Sequence, residues 1–265
     1  MTVKARVIDR AGCKLHYWVE GPEQAPVVVL THGATLDHRM FDPQMTSLRE
    51  KYRVIRWDLP GHGCSRPFPA HFTLSSAVQD LVAILAHENI EQVTLIGQSM
   101  GGDLCQEFLF RHPERVSRIV LIGCAPVIRP TGLLTPLLSR WSTLKMRMVP
   151  LAGFRERVAS SAAVGIEVQA YAASCLEKMS RADLVATWKA IGTAAHSETG
   201  YRLPCPALMI VGEQDLVGNG WVRKAALDWA DSEPNAQLAR IPAAGHITNM
   251  DAPDAVTEQI ISFLD

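Results

Sequence analysis

The sequence predicts an α/β fold: a mostly parallel, eight-stranded sheet flanked by helices, with a helical insertion past the middle of the chain. Three observations predict it. Short, β-branched, apolar runs recur along the 265 residues. Helical periodicity separates most of them. The alternation then stops from about Pro126 to Leu203 and resumes afterwards.

The elements follow in order. Val3 to Asp9 and Lys14 to Glu20 alternate in the manner of strands around a turn at Ala11 and Gly12, and should pair antiparallel at one edge. PVVVLTHG, from Pro26, is a continuous apolar run ending in glycine, as expected of a strand buried on both faces. RVIRWD from Arg53, QVTLIG from Gln92, RIVLIG from Arg118 and PALMIVG from Pro206 repeat that type, and AQLARIP from Ala236 is a weaker example. Between them, Val78, Leu81, Val82 and Leu85 share one helical face, Leu104, Phe108 and Leu109 another, and Val256, Ile260 and Phe263 a third. Strands alternating with helices imply right-handed crossovers and parallel pairing. Residues 126–203 hold helical segments punctuated by Pro130, Pro136, Pro150 and Gly153, so the expected division is a core of 1–125 and 204–265 carrying a helical cap.

Composition narrows the function. A formal net charge of −1 argues against a polyanion-binding surface, and so against nucleic acid. No apolar run approaches the roughly 20 residues of a membrane span, and the first residues lack a signal-peptide pattern. The six cysteines form no CxxC pair, and several sit among apolar neighbours, so reduced, structural thiols in a cytoplasmic protein are expected.

The sharpest motif is LIGQSMGG, Leu95 to Gly102, between a buried strand and an amphipathic helix. It contains Gly97-Gln98-Ser99-Met100-Gly101, a GxSxG pattern. A serine on a tight strand-to-helix turn is thrust above the sheet edge, and the residues two before and two after it crowd neighbouring backbone. The following helix aims free N–H groups at the site and favours negative charge there. Ser99 is the expected nucleophile.

A nucleophilic serine needs a base, and the base needs an orienting acid. His246, in Ala244-Gly245-His246 between the last strand and the last helix, projects over the same sheet edge and is the expected base. Asp215 follows PALMIVG at that edge and is better placed than Glu213 to orient it. Asp58, in WDLPGHG, is expected to stabilise its turn. The oxyanion needs two backbone donors. These are expected from Met100, which follows the nucleophile, and from Ala34, after the tight turn at His32-Gly33. His32 itself is expected to serve as a structural hydrogen-bonder.

These motifs, in the chain order Ser99, Asp215, His246, resemble the α/β-hydrolase superfamily. RVIRWDLPGHGCS resembles its strand–turn segment, and AGHITNMDAPDAV its His loop and final helix. Within the superfamily, simple esterases and enol-lactonases look closest. Serine at position 99 departs from the aspartate-nucleophile dehalogenases and epoxide hydrolases. The resemblance implies hydrolysis of a small carboxylic ester or lactone through an acyl-serine, with no cofactor and no metal. The same triad could also serve perhydrolysis, acyl transfer or carbon–carbon bond hydrolysis, and some proteins of this fold act as ligand-binding receptors. It further implies that the cap lies over Ser99, with Leu137, Leu138 and Trp141 expected to line the substrate pocket.

Overall fold

The structure, a computed structural model, describes residues 4–10, 12–128, 149–194 and 196–265. Eight strands form one sheet: β1 (Arg6–Arg10), β2 (Cys13–Glu20), β3 (Val27–Thr31), β4 (Arg53–Trp57), β5 (Val93–Gln98), β6 (Val116–Ile122), β7 (Ala207–Gly212) and β8 (Ala236–Ile241). Their spatial order is β1-β2-β4-β3-β5-β6-β7-β8. The pairs β1–β2 and β2–β4 are antiparallel, and every later pair is parallel. This is the mostly parallel sheet with an antiparallel edge that the strand pattern predicts.

Alternate residues of each central strand enter opposite cores. Val28 and Leu30 of β3 join Val54, Ile96 and Val120 on one face, under α1 (Asp42–Lys51) and α9 (Pro253–Leu264). Val29 joins Ile55, Trp57 and Leu95 on the other, under α2 (Leu74–His87) and α3 (Met100–Arg111). Burial on both faces explains the unbroken apolar run of β7 and the Leu95-Ile96-Gly97 centre of β5. The edge strand β8 instead carries the exposed Gln237 and Arg240. On α9 the third buried anchor is Leu264; Phe263 is only half-buried, one position off the expected stripe.

Between β6 and β7 the described residues hold α4 (Leu151–Ala162), α5 (Ile166–Glu177) and α6 (Arg181–Gly192). An isolated parallel bridge, Ile128 to His196, brings the two ends of this insertion together beside β6. After β7 come α7 (Trp221–Ser232), then β8, then the short α8 (Thr248–Asp251). Among the described residues no helix is long and apolar enough to cross a membrane.

Candidate active site

The loops that follow β3, β5, β7 and β8 open at the C-terminal edge of the sheet, where ligands of open α/β sheets bind. Ser99, between β5 and α3, has φ 50° and ψ −122°, a left-handed conformation that β-to-α turns of this sharpness impose. Its carbonyl accepts the first bond of α3 from Asp103 N at 2.9 Å. The two glycines of the motif are forced by contact. A Cβ on Gly97 would lie 2.5 Å from Gly101 O, and one on Gly101 would lie 2.2 Å from Thr31 O and 2.5 Å from His32 O. That close approach seats the start of α3 on the end of β3 and brings Met100 beside the loop carrying Ala34.

The β3 loop turns tightly, with Leu36 N bonded to Gly33 O at 3.3 Å and Thr35 left-handed at φ 66°. The amides of Ala34 and Met100 enter no turn or loop hydrogen bond among the described residues. Met100 N–H is one of the four unpaired donors that begin any helix. His32 sits entirely inside: its Nδ1 meets Gly33 O at 2.8 Å, and its Nε2 accepts Leu59 N–H at 2.9 Å. That pattern requires the neutral ring, and burial lowers its pKa accordingly.

His246 and Asp215 meet directly. His246 Nδ1 lies 2.7 Å from Asp215 Oδ2, with the aspartate fully buried and the histidine only 6% exposed. An ionised carboxylate can only accept, so Nδ1 carries a proton, and in the neutral ring Nε2 is the acceptor. Asp215 Oδ1 accepts Val217 N–H at 2.9 Å, which fixes the carboxylate plane. The two loops are also joined through backbone, by Gln214 N to Ala244 O at 2.9 Å.

Ser99, Ala34 and His246 line one cleft of about 690 Å³. A family model described as the alpha/beta hydrolase family matches residues 28–259. The chain belongs to that family. Magnesium-chelatase 30 kDa subunit of Rhodobacter capsulatus is 28% identical over 274 residues, covering 95% of this chain and 92% of its own. 3-Oxoadipate enol-lactonase 1 of Acinetobacter baylyi is 38% identical over 96 residues, 36% of each chain. Among solved structures, a thermophilic esterase from Thermogutta terrifontis superposes with a TM-score of 0.83 at 23% identity, covering 98% of both chains. Likeness at that identity shows the fold and leaves the substrate to the site.

In this hydrolase-family chain two residues that the motifs do not single out complete the surroundings of His246. Gln98, beside Ser99, donates from Nε2 to His246 O at 3.0 Å. Its amide also occupies the space next to Gly33, where a Cβ would lie 2.0 Å from Gln98 Oε1. Gly123, just past β6, is left-handed, and a Cβ there would press on the imidazole at 3.1 Å from Nδ1. The glycine ending RIVLIG was the only signal available for the second; the first carries none.

The expected pocket residues Leu137, Leu138 and Trp141 lie outside the described residues. The described roof comes from the later part of the insertion: Phe154, Arg157 and Val158 of α4, and Trp188 and Ile191 of α6. Phe154 and Trp188 meet edge to face at 5.4 Å between ring centroids. Leu216 and Trp221, both largely exposed, form the opposite lip. The cleft is thus mainly apolar, with Arg157 as a cation on its rim.

Proposed function

We propose that this protein hydrolyses a small carboxylic ester or lactone through an acyl-serine intermediate. Ser99 Oγ attacks the carbonyl carbon while His246 Nε2 takes its proton. The oxygen, now negative, is held by the N–H groups of Ala34 and Met100, preorganised donors each worth roughly two to three orders of magnitude in rate. As the carbonyl re-forms, the C–O bond to the alcohol breaks and His246 protonates the leaving oxygen. Water, deprotonated by His246, then attacks the acyl-serine; collapse breaks the bond from the acyl carbon to Ser99 Oγ, His246 returns the proton to Oγ, and the acid is released. Asp215 holds the tautomer and stabilises the imidazolium in both halves.

One observation carries the reading: a buried histidine, oriented by a buried carboxylate, opens on the same cleft as a serine held in a strained turn. The apolar roof suits an acyl chain or ring better than a sugar or a nucleotide. The full-length relative from Rhodobacter is named as a subunit, so turnover has to decide. The test is a panel of esters of graded chain length, plus lactones, with Ser99→Ala as the blank. Turnover should fall by about four to six orders of magnitude in that variant, with the fold retained. A fluorophosphonate should label Ser99 alone. A fully active Ser99→Ala protein, or labelling elsewhere, overturns the proposal.

A further inference from the structure

The loop carrying His246 is stitched to the insertion, and one side chain makes most of the stitches. Asp251, closing α8, accepts three backbone N–H groups. Its Oδ2 takes Gly245 N at 2.8 Å and Val164 N at 2.9 Å, and its Oδ1 takes Gly165 N at 2.9 Å. Gly245 precedes His246, while Val164 and Gly165 link α4 to α5. A further bond runs from Ile247 N to Ala162 O at 2.8 Å. Packing is close at the same seam, since a Cβ on Gly245 would lie 3.1 Å from both Ala163 Cα and Asp251 Oδ2.

The geometry points to Asp251 as a positioning residue that couples the roof of the cleft to His246. This inference rests on the reading of His246 as the general base. Helix α4 lines the cleft through Phe154 and Val158 and runs directly into the clamped linker. A group pressing on α4 therefore acts on a segment bonded to the residue before His246. At the other side of the cleft, α5 is tied to the loop that carries Ala34. There Tyr171 Oη donates to Asp37 Oδ1 or O at 3.1 Å, and Cys175 Sγ contacts Asp37 Oδ2 at 3.5 Å. The insertion thus grips the oxyanion loop through Asp37 and the His loop through Asp251, and only the second grip bears on the imidazole.

The test compares Asp251→Asn with Tyr171→Phe, each of which loosens one of the two grips. Asparagine keeps the shape but has one oxygen where two are in use: its NH2 group faces either Gly165 N or both Gly245 N and Val164 N, and in either orientation the linker between α4 and α5 loses a bond. Long-range proton–nitrogen NMR of the imidazole, taken on the resting protein at alkaline pH, reports which nitrogen of His246 carries the proton. In Asp251→Asn the single Nδ1–H pattern should shift or split into two tautomers; in Tyr171→Phe it should stay as in the parent. Per active site titrated with an activated ester, kcat of Asp251→Asn should fall about tenfold or more, with KM changed less. If asparagine prevents folding, Asp251→Glu, which keeps both acceptors on a longer arm, carries the same readouts. An unmoved His246 spectrum with unchanged kcat per titrated site makes Asp251 a merely structural tie and overturns the inference. The spectrum needs no turnover, so an inactive parent defeats the hydrolase reading and leaves this test intact.

Discussion

Replacing Asp215 by asparagine keeps the side-chain shape and removes one acceptor where two are in use. Oδ1 holds Val217 N–H at 2.9 Å and Oδ2 holds His246 Nδ1 at 2.7 Å, in a side chain with no solvent exposure. An amide has one oxygen to give. With that oxygen on Val217, the NH2 group faces His246. The imidazole must then accept at Nδ1 and carry its proton on Nε2, where it cannot take one from Ser99. With the oxygen on His246, the NH2 group meets Val217 N–H, and a buried donor left unpaired costs about 1–3 kcal/mol. This second, competent arrangement also puts a neutral bond where a charge-assisted one stood, stabilising the imidazolium by roughly 1–2 kcal/mol less. The combined loss is about 2–5 kcal/mol, or roughly 30-fold to several thousand-fold in turnover. The assay is kcat/KM for Asp215→Asn beside Glu213→Gln, whose side chain is exposed, with circular dichroism melts to establish folding. Glu213→Gln should stay within about threefold of the parent. An asparagine variant equally active, or a glutamine variant equally impaired, refutes the assignment of the orienting acid.

Trp188→Ala should enlarge the roof beside Phe154 and move the preferred acyl chain to greater length by roughly tenfold in relative kcat/KM; an unaltered preference across the ester panel would show that α6 does not read the substrate. Gly101→Ala should drive a methyl group into the backbone carbonyls of Thr31 and His32, lowering the melting temperature by about 5 °C or more. An unchanged melt would mean that α3 can slide off β3 at no cost. His62 is fully buried and its pKa is lowered by burial to about 3, against about 6.5 in the unfolded chain. Only the unfolded chain takes up the proton between those values, so the full stability is present above about pH 6.5 and is lost as pH falls below it. The slope is about 1.4 kcal/mol per pH unit, or about 2 kcal/mol by pH 5, and His32 adds to it in the same direction. Urea unfolding at pH 7.5 and pH 5 measures the difference, which His62→Phe should shrink; an equal difference in that variant places the acid sensitivity elsewhere.

The sheet was legible because β5 and β7 are buried on both faces, and β7 has no polar residue to confuse the period. The three proposed catalytic side chains could be named for a related reason: each follows a strand that ends at the same edge, so chain order and strand polarity suffice to bring Ser99, Asp215 and His246 together. Asp251 and Gln98 could not be named in this way. Each acts on backbone atoms of a distant loop, Asp251 on Val164 and Gln98 on His246 O, and a backbone N–H or C=O leaves no trace in the identity of its residue. The roof was hard to read for another reason. In Leu151–Ala162 the charged Arg155, Glu156 and Arg157 interrupt the apolar residues, so the segment gives no clear stripe, although Phe154 and Val158 face the cleft.

The segment from Trp57 to Ser65 serves more than its own turn. Asp58 is buried and collects three N–H groups: His38 N and His38 Nδ1 at 2.8 Å each on Oδ1, and Cys64 N at 2.7 Å on Oδ2. Burial alone would raise its pKa, but the hydrogen bond from His38, the neighbouring imidazoles and the Cys64 N–H together outweigh it and hold the pKa below the usual carboxylate range. His38 in turn stacks on Trp18 at 3.5 Å between ring centroids, and His32 accepts Leu59 N–H. Both ends of the proposed oxyanion loop, His32 and His38, are therefore pinned to one turn, and Ala34 hangs between two fixed points. Gly63 is required for the same reason, since a Cβ there would strike Asp58 Oδ2 at 2.2 Å. This arrangement separates two demands on the site. Donors to an oxyanion must be in place before charge develops, because rearranging them during the reaction would cost what they contribute. The roof can yield to different acyl groups only if that fixed loop does not move with it. Anchoring Ala34 to the turn at Asp58, through residues that do not line the cleft, meets the first demand and leaves the cleft-facing side chains of α4 and α6 to meet the second.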